Sequence, residues 1–120
     1  ETAFRRAYLP ALRTAGPLAQ LIARQAEAHA AEYNTEAQFG QTCAALPDDI
    51  INFQHDPLAC AIALGWSDGV EIRTVPLRCE LRDGWLVELP DEAGTPTRVV
   101  TQVNGDAFNQ LWLDTVVRTR

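Results

Sequence analysis

The sequence predicts an α/β fold: helices packed on a small, mainly antiparallel sheet made of a hairpin plus one strand, with a closing C-terminal helix. Three observations carry that prediction. Residues 17–33 place apolar side chains at helical spacing, and so does the segment after Asp106. The stretch 70–103 instead alternates apolar and polar residues around an Asp83-Gly84 turn. Between these regions, Leu58, Ala61 and Ile62 with their small neighbours make a run that is apolar nearly all round, the pattern of a buried helix.

Each element follows from local chemistry. In residues 1–15, Phe4, Tyr8 and Leu12 recur at four-residue spacing, so this segment reads as helical, with a kink or break at Pro10. Gly16-Pro17 closes one helix and opens the next. The second helix runs to about Tyr33, with Leu18, Leu21, Ile22, Gln25, Ala26, His29 and Tyr33 on the inward stripe. Residues 34–54 contain Asn34, Gly40 and Pro47 among polar side chains and read as a long loop; loops of roughly this length are functional or mobile in small domains. Phe39 and Phe53 are its pocket-forming aromatics if it has any, with core packing the default. Asp48-Asp49 reads as solvated or capping rather than as a ligand pair.

Asp56-Pro57 is a helix-start signal, because aspartate accepts from the first amides and proline lacks an N–H that would be orphaned there. Gly65 and Ser67-Asp68-Gly69 end that helix. Val70 and Ile72 are out of phase with Leu77, Cys79 and Leu81, and Pro76 near the switch predicts a bulge or an edge position. Trp85, Val87 and Leu89 alternate after the turn, Pro90 to Pro96 is a polar loop, and residues 97–103 form a third strand. Asp106 is the expected N-cap of the last helix, whose buried stripe is Phe108, Leu111, Trp112, Thr115 and Val116.

Composition bounds the function classes. The 120 residues suit one domain, 47% are apolar and 22% charged, an ordinary globular balance. A net charge of −6 argues against a nucleic-acid partner, which wants a basic face. No run approaches the ~18 apolar residues of a membrane span, so no membrane partner is expected. Cys43, Cys60 and Cys79 are odd in number and widely spaced, which points to reduced thiols in a cytoplasmic protein. The chain lacks Met, even at position 1, and is expected to be a piece of a longer polypeptide.

The chemistry-bearing motif is His55-Asp56-Pro57-Leu58-Ala59, an imidazole and a carboxylate at the amino end of a helix, where the backbone dipole favours a negative charge. This run, followed by a strand-rich tail, resembles the C-terminal signature of the inosine-uridine nucleoside hydrolases. The order of elements is similar to the last third of that family. The resemblance implies that His55 is the catalytic group beside the departing base and that Asp56 is a metal ligand of a calcium ion. It adds Tyr33, more weakly, as a substrate-binding residue, although His29 and Tyr33 by themselves read as the edge of a core. Nothing in the chain matches the family's aspartate-rich run D-x-D-P-G-x-D-D, and the hairpin carries Arg82-Asp83-Gly84-Trp85 where the family has Thr-Arg-Gly. Calcium takes about six to eight oxygen ligands, so the chain alone is not expected to hold one.

The resemblance therefore implies the C-terminal part of a nucleoside N-ribohydrolase, acting on a nucleoside in the full-length protein and inactive as an isolated piece. The alternative is a non-catalytic binding or oligomerisation module derived from that fold; on either account a homo-oligomer is expected, through exposed strand edges and apolar faces. A third possibility is a small domain in which Asp56 is only a cap.

Overall fold

The computed structural model describes residues 2–34, 37 and 46–119. Phe39, Gly40, Cys43 and much of the 34–54 loop lie outside the described residues. The chain is α/β, with four helices and small antiparallel sheets among the described residues. The elements are β1 (Ala3–Arg5), a 3-10 turn (Arg6–Tyr8), α1 (Leu9–Thr14), α2 (Pro17–Glu32), β2 (Ile50–Phe53), α3 (His55–Ala63), β3 (Glu71–Arg82), β4 (Trp85–Pro90), β5 (Thr95–Gln102) and α4 (Gly105–Arg118). They fall into two units, Gly69–Val103 being one and the rest of the chain the other.

In the larger unit, β1 pairs antiparallel with β2, Ala3 opposite Phe53 and Phe4 opposite Asn52. Neither strand was expected: the first segment reads as helix and Ile50–Phe53 as the end of a loop. A three-residue and a four-residue strand are too short for alternation to register, and the partner that stabilises each is more than forty positions away. Asp49 fastens the start of β2 to the end of β1. Its carboxylate accepts from Arg5 Nε at 2.7 Å and from the Ala7 N–H at 3.1 Å. It is thus a structural clasp, in line with the capping reading.

The core of this unit is Phe4, Leu9, Leu12, Ala19, Ala23, Ile51 and Val116. The inward face of α2 is centred on Ala19 and Ala23, with Ile22 and Ala26 of the expected stripe packed beside them. Ala19 and Ala23 are fully enclosed, whereas Leu18 and Leu21 are almost half exposed. Small side chains let α2 approach α1 closely enough to enclose Leu12 completely. In α4 the cap is Asn104, not Asp106: its Oδ1 accepts from the Ala107 N–H at 3.0 Å, and Asp106 stands in the first turn. Phe108 and Val116 are buried as expected, but Leu111 is exposed.

The smaller unit is a three-stranded sheet in the order β4-β3-β5. The hairpin turn is as expected, with Asp83 and Gly84 both at positive φ. β3 differs from expectation in being one continuous central strand. Its irregularity lies at Glu71/Ile72, not at Pro76. Pro76 is tolerated because β4 pairs only from Leu77 onward and β5 takes over on the other side. The Pro76 carbonyl still accepts from the Asp91 N–H at 3.0 Å, so only its missing N–H faces the point where β4 has ended. Cys60 and Cys79 are exposed free thiols. No helix among the described residues is long and apolar enough to cross a membrane.

Candidate functional site

The helix that carries the His-Asp-Pro motif starts two residues earlier than its sequence predicts. Gln54 is the N-cap residue, with φ −112° and ψ 40°, and no side chain caps the helix. His55, Asp56 and Pro57 make the first turn. Asp56 therefore does not serve as the cap, and its carboxylate stands exposed beside the positive pole of the helix. The helix itself corrects a second expectation. Its apolar composition predicts burial, yet none of its residues is buried, and Leu64 just past its end is 90% exposed. Pro57, Leu58, Ala61 and Ile62 are mostly covered but not buried, while Ala59, Cys60 and Ala63 are exposed.

His55 is also exposed, but its ring is held: it stacks on Phe53 at a centroid distance of 4.9 Å and an interplanar angle of 14°. Phe53 in turn forms part of the wall of an open cavity of about 620 Å³ in the larger unit. Gln25 and His29 of α2 face this space, with Phe4 and Trp112 forming an aromatic edge-to-face pair, 5.2 Å between centroids, in its wall. Pro57 reaches the cavity, whereas His55 and Asp56 do not line it. His55 and Asp56 thus stand next to the Phe53 wall of the cavity rather than in its lining.

Tyr33 stands elsewhere. It stacks on His29 at 4.8 Å, is about half exposed, and lines a smaller cavity of about 190 Å³ with Arg6, Asn34 and Asp48. The structure leaves His55 and Asp56 adjacent in the first turn and stacks His55 on Phe53, but it does not bring Tyr33 to the same wall. Phe53 is the one aromatic of the 34–54 segment whose pocket role is visible; it does line a cavity.

Sequence reasoning missed Gln54. Its side chain is 2% exposed at the β2–α3 junction, and among the described residues neither Oε1 nor Nε2 has a hydrogen-bond partner. Its backbone N–H donates to the Thr2 carbonyl at 2.9 Å, joining the start of the motif helix to the strand pair. Nothing in the local sequence marks it, because its burial depends on the far end of the chain.

The donor chemistry for a calcium ion is incomplete. Asp56 supplies one carboxylate against the roughly six to eight oxygens that calcium requires. Among the described residues no group of three or more His, Cys, Asp or Glu side chains is gathered at one point. These residues alone do not make a calcium centre. Comparison of the chain with family models, with curated proteins and with solved structures finds no match.

Proposed function

We propose that this chain supplies one wall of a nucleoside N-ribohydrolase site, with His55 as the acid for the departing base and Asp56 as a carboxylate of the same site. The observation that carries the reading is the exposed first turn of α3, where the imidazole is oriented by Phe53 and the carboxylate is not consumed as a cap. A merely structural Asp-Pro start would spend the aspartate on the early amides.

The reaction breaks the bond between the anomeric carbon and the base nitrogen. Its electron pair goes to the nitrogen, and water oxygen takes the vacant place on carbon. His55 in its protonated form donates to the leaving nitrogen, and water restores that proton. Asp56 alone binds no calcium, so the remaining ligands and the ribose-binding groups belong to polypeptide beyond these residues. The uncovered apolar surface of α3 and Leu64 supports that division, since such a surface in water calls for a cover.

The test is base release from inosine and uridine by a polypeptide that includes the upstream coding sequence. Activity is expected, and His55→Ala should lower kcat by about 10²- to 10⁴-fold. An upstream sequence without an aspartate-rich run, or full activity in the variant, would overturn the reading.

The second reading, an association module, is favoured by a separate observation. No residue of the Gly69–Val103 sheet is buried, although all of them are described.

A further inference from the structure

The three-stranded sheet has no buried side chain, and each of its outer strands presents a row of backbone N–H and C=O groups that a further strand could pair. Its two outer strands differ in kind. β5 carries Thr95, Thr97, Arg98, Thr101 and Gln102 beside Val99 and Val100, a mostly polar strand with Pro96 near its start. β4 is Trp-Leu-Val-Glu-Leu-Pro, with Trp85 75% and Leu86 72% exposed, and Leu81, which shares a face with Leu86, 74% exposed.

The direction of the β4 backbone groups follows from the turn. Arg82 and Trp85 close a two-residue hairpin, so the Trp85 N–H and C=O face β3. Alternation then sends those of Val87 and Leu89 the same way, in agreement with the Asp91 N–H, which bonds to the Pro76 carbonyl of β3. The groups of Leu86 and Glu88 point away from the sheet and have no strand partner among the described residues.

We propose that β4 pairs antiparallel with β4 of a second copy of this chain, across a two-fold axis at Val87, to give one continuous six-stranded sheet. The register is set by self-complementarity. With Val87 opposite the partner's Val87, Leu86 lies opposite the partner's Glu88 and exchanges both backbone bonds with it, and the symmetric pair does the same. Trp85 falls opposite the partner's Leu89 on the face shared with Val87, so the exposed indole gains an apolar neighbour.

The alternatives are poorer. Centring on Glu88 sets two carboxylates face to face and uses Pro90, which has no N–H. Centring on Leu86 draws Gly84 of the turn into the ladder. This proposal is independent of the hydrolase reading and survives its failure.

Sedimentation velocity of the whole chain over a concentration series tests it. The chain should sediment as a dimer at the higher concentrations. Glu88→Pro should be monomeric throughout with an unchanged far-UV spectrum, because the N–H it removes faces solvent in the monomer and proline is accepted at such positions. Register is read by cross-linking in a background where Cys43, Cys60 and Cys79 are Ser. Val87→Cys should form a disulfide dimer under mild oxidation, since a non-hydrogen-bonded pair places Cα atoms about 4.5 Å apart. Leu86→Cys should cross-link at least about tenfold more slowly, because its two copies are not opposite each other. A wild-type chain that stays monomeric, a dimer indifferent to Glu88→Pro, or equal cross-linking at the two positions would each overturn the proposal.

Discussion

Asp49 shows how one side chain can be legible in kind and not in partner. An aspartate before a short apolar run reads as a cap, and it does accept an amide, but the amide belongs to Ala7 and the charge partner is Arg5. Desolvation pushes the Asp49 carboxyl up. The Arg5 hydrogen bond, the Ala7 N–H and the guanidinium charge together outweigh it and hold the group below the ordinary aspartate range. A depressed folded value means that this contribution to stability is fully present above the unfolded pKa, about 3.9, and is lost as pH falls through the folded value. Asp49→Asn should therefore destabilise the chain by roughly 1 kcal/mol near neutral pH, with the difference vanishing in acid. Urea titrations of both proteins at pH 7 and below pH 3 measure this; an equal gap at both values would remove the ionised carboxylate from the account.

Glycine at 94 is a second case at this scale. A Cβ there would lie 2.6 Å from the Leu77 carbonyl carbon and oxygen, backbone atoms of the central strand that cannot swing aside. Gly94→Ala should cost about 1–3 kcal/mol, as overpacking does. A melting curve superimposable on the parent's would show that the β4–β5 loop gives way freely.

Elements were legible in proportion to their length. α2, the β3–β4 hairpin and α4 extend long enough for periodicity and turn chemistry to speak, and they stand where those signals put them. β1 and β2 were not legible, because each is a few residues whose pairing is remote. The facing of α2 was misjudged in part, for a different reason: Ile22 and Ala26 of the expected stripe do pack against the core, whereas Leu18 and Leu21 do not. Hydrophobicity ranks leucine above alanine, but the distance between helices selects the smaller side chain. Ala23→Leu should accordingly destabilise by about 1–3 kcal/mol despite the added apolar surface, whereas Leu21→Ala, on the exposed side, should stay within about 1 kcal/mol. Chemical denaturation of the pair decides it, and the reverse ranking would return the leucine face to the core. The α3 helix is the converse: its apolar composition predicts burial, yet none of its residues is buried.

At the scale of the whole molecule, the larger unit has its own packed interior and the sheet unit has none. The motif of His55 and Asp56 was legible because the two residues are adjacent and need only a helix start to stand together. Phe53 as the support for the imidazole, and Gln54 as the buried junction, were not, since both depend on where β2 finds its partner. The proposed chemistry requires His55 to act as a proton donor to a leaving base.

That claim is tested most directly by comparing two ribosides in the polypeptide extended through its upstream coding sequence: inosine, whose base leaves with a proton, and a riboside whose leaving group departs as a stable anion. His55→Ala should slow inosine by about 10²-fold or more and leave the second substrate nearly unchanged. Equal losses on both would contradict the assignment, and so would no loss on either.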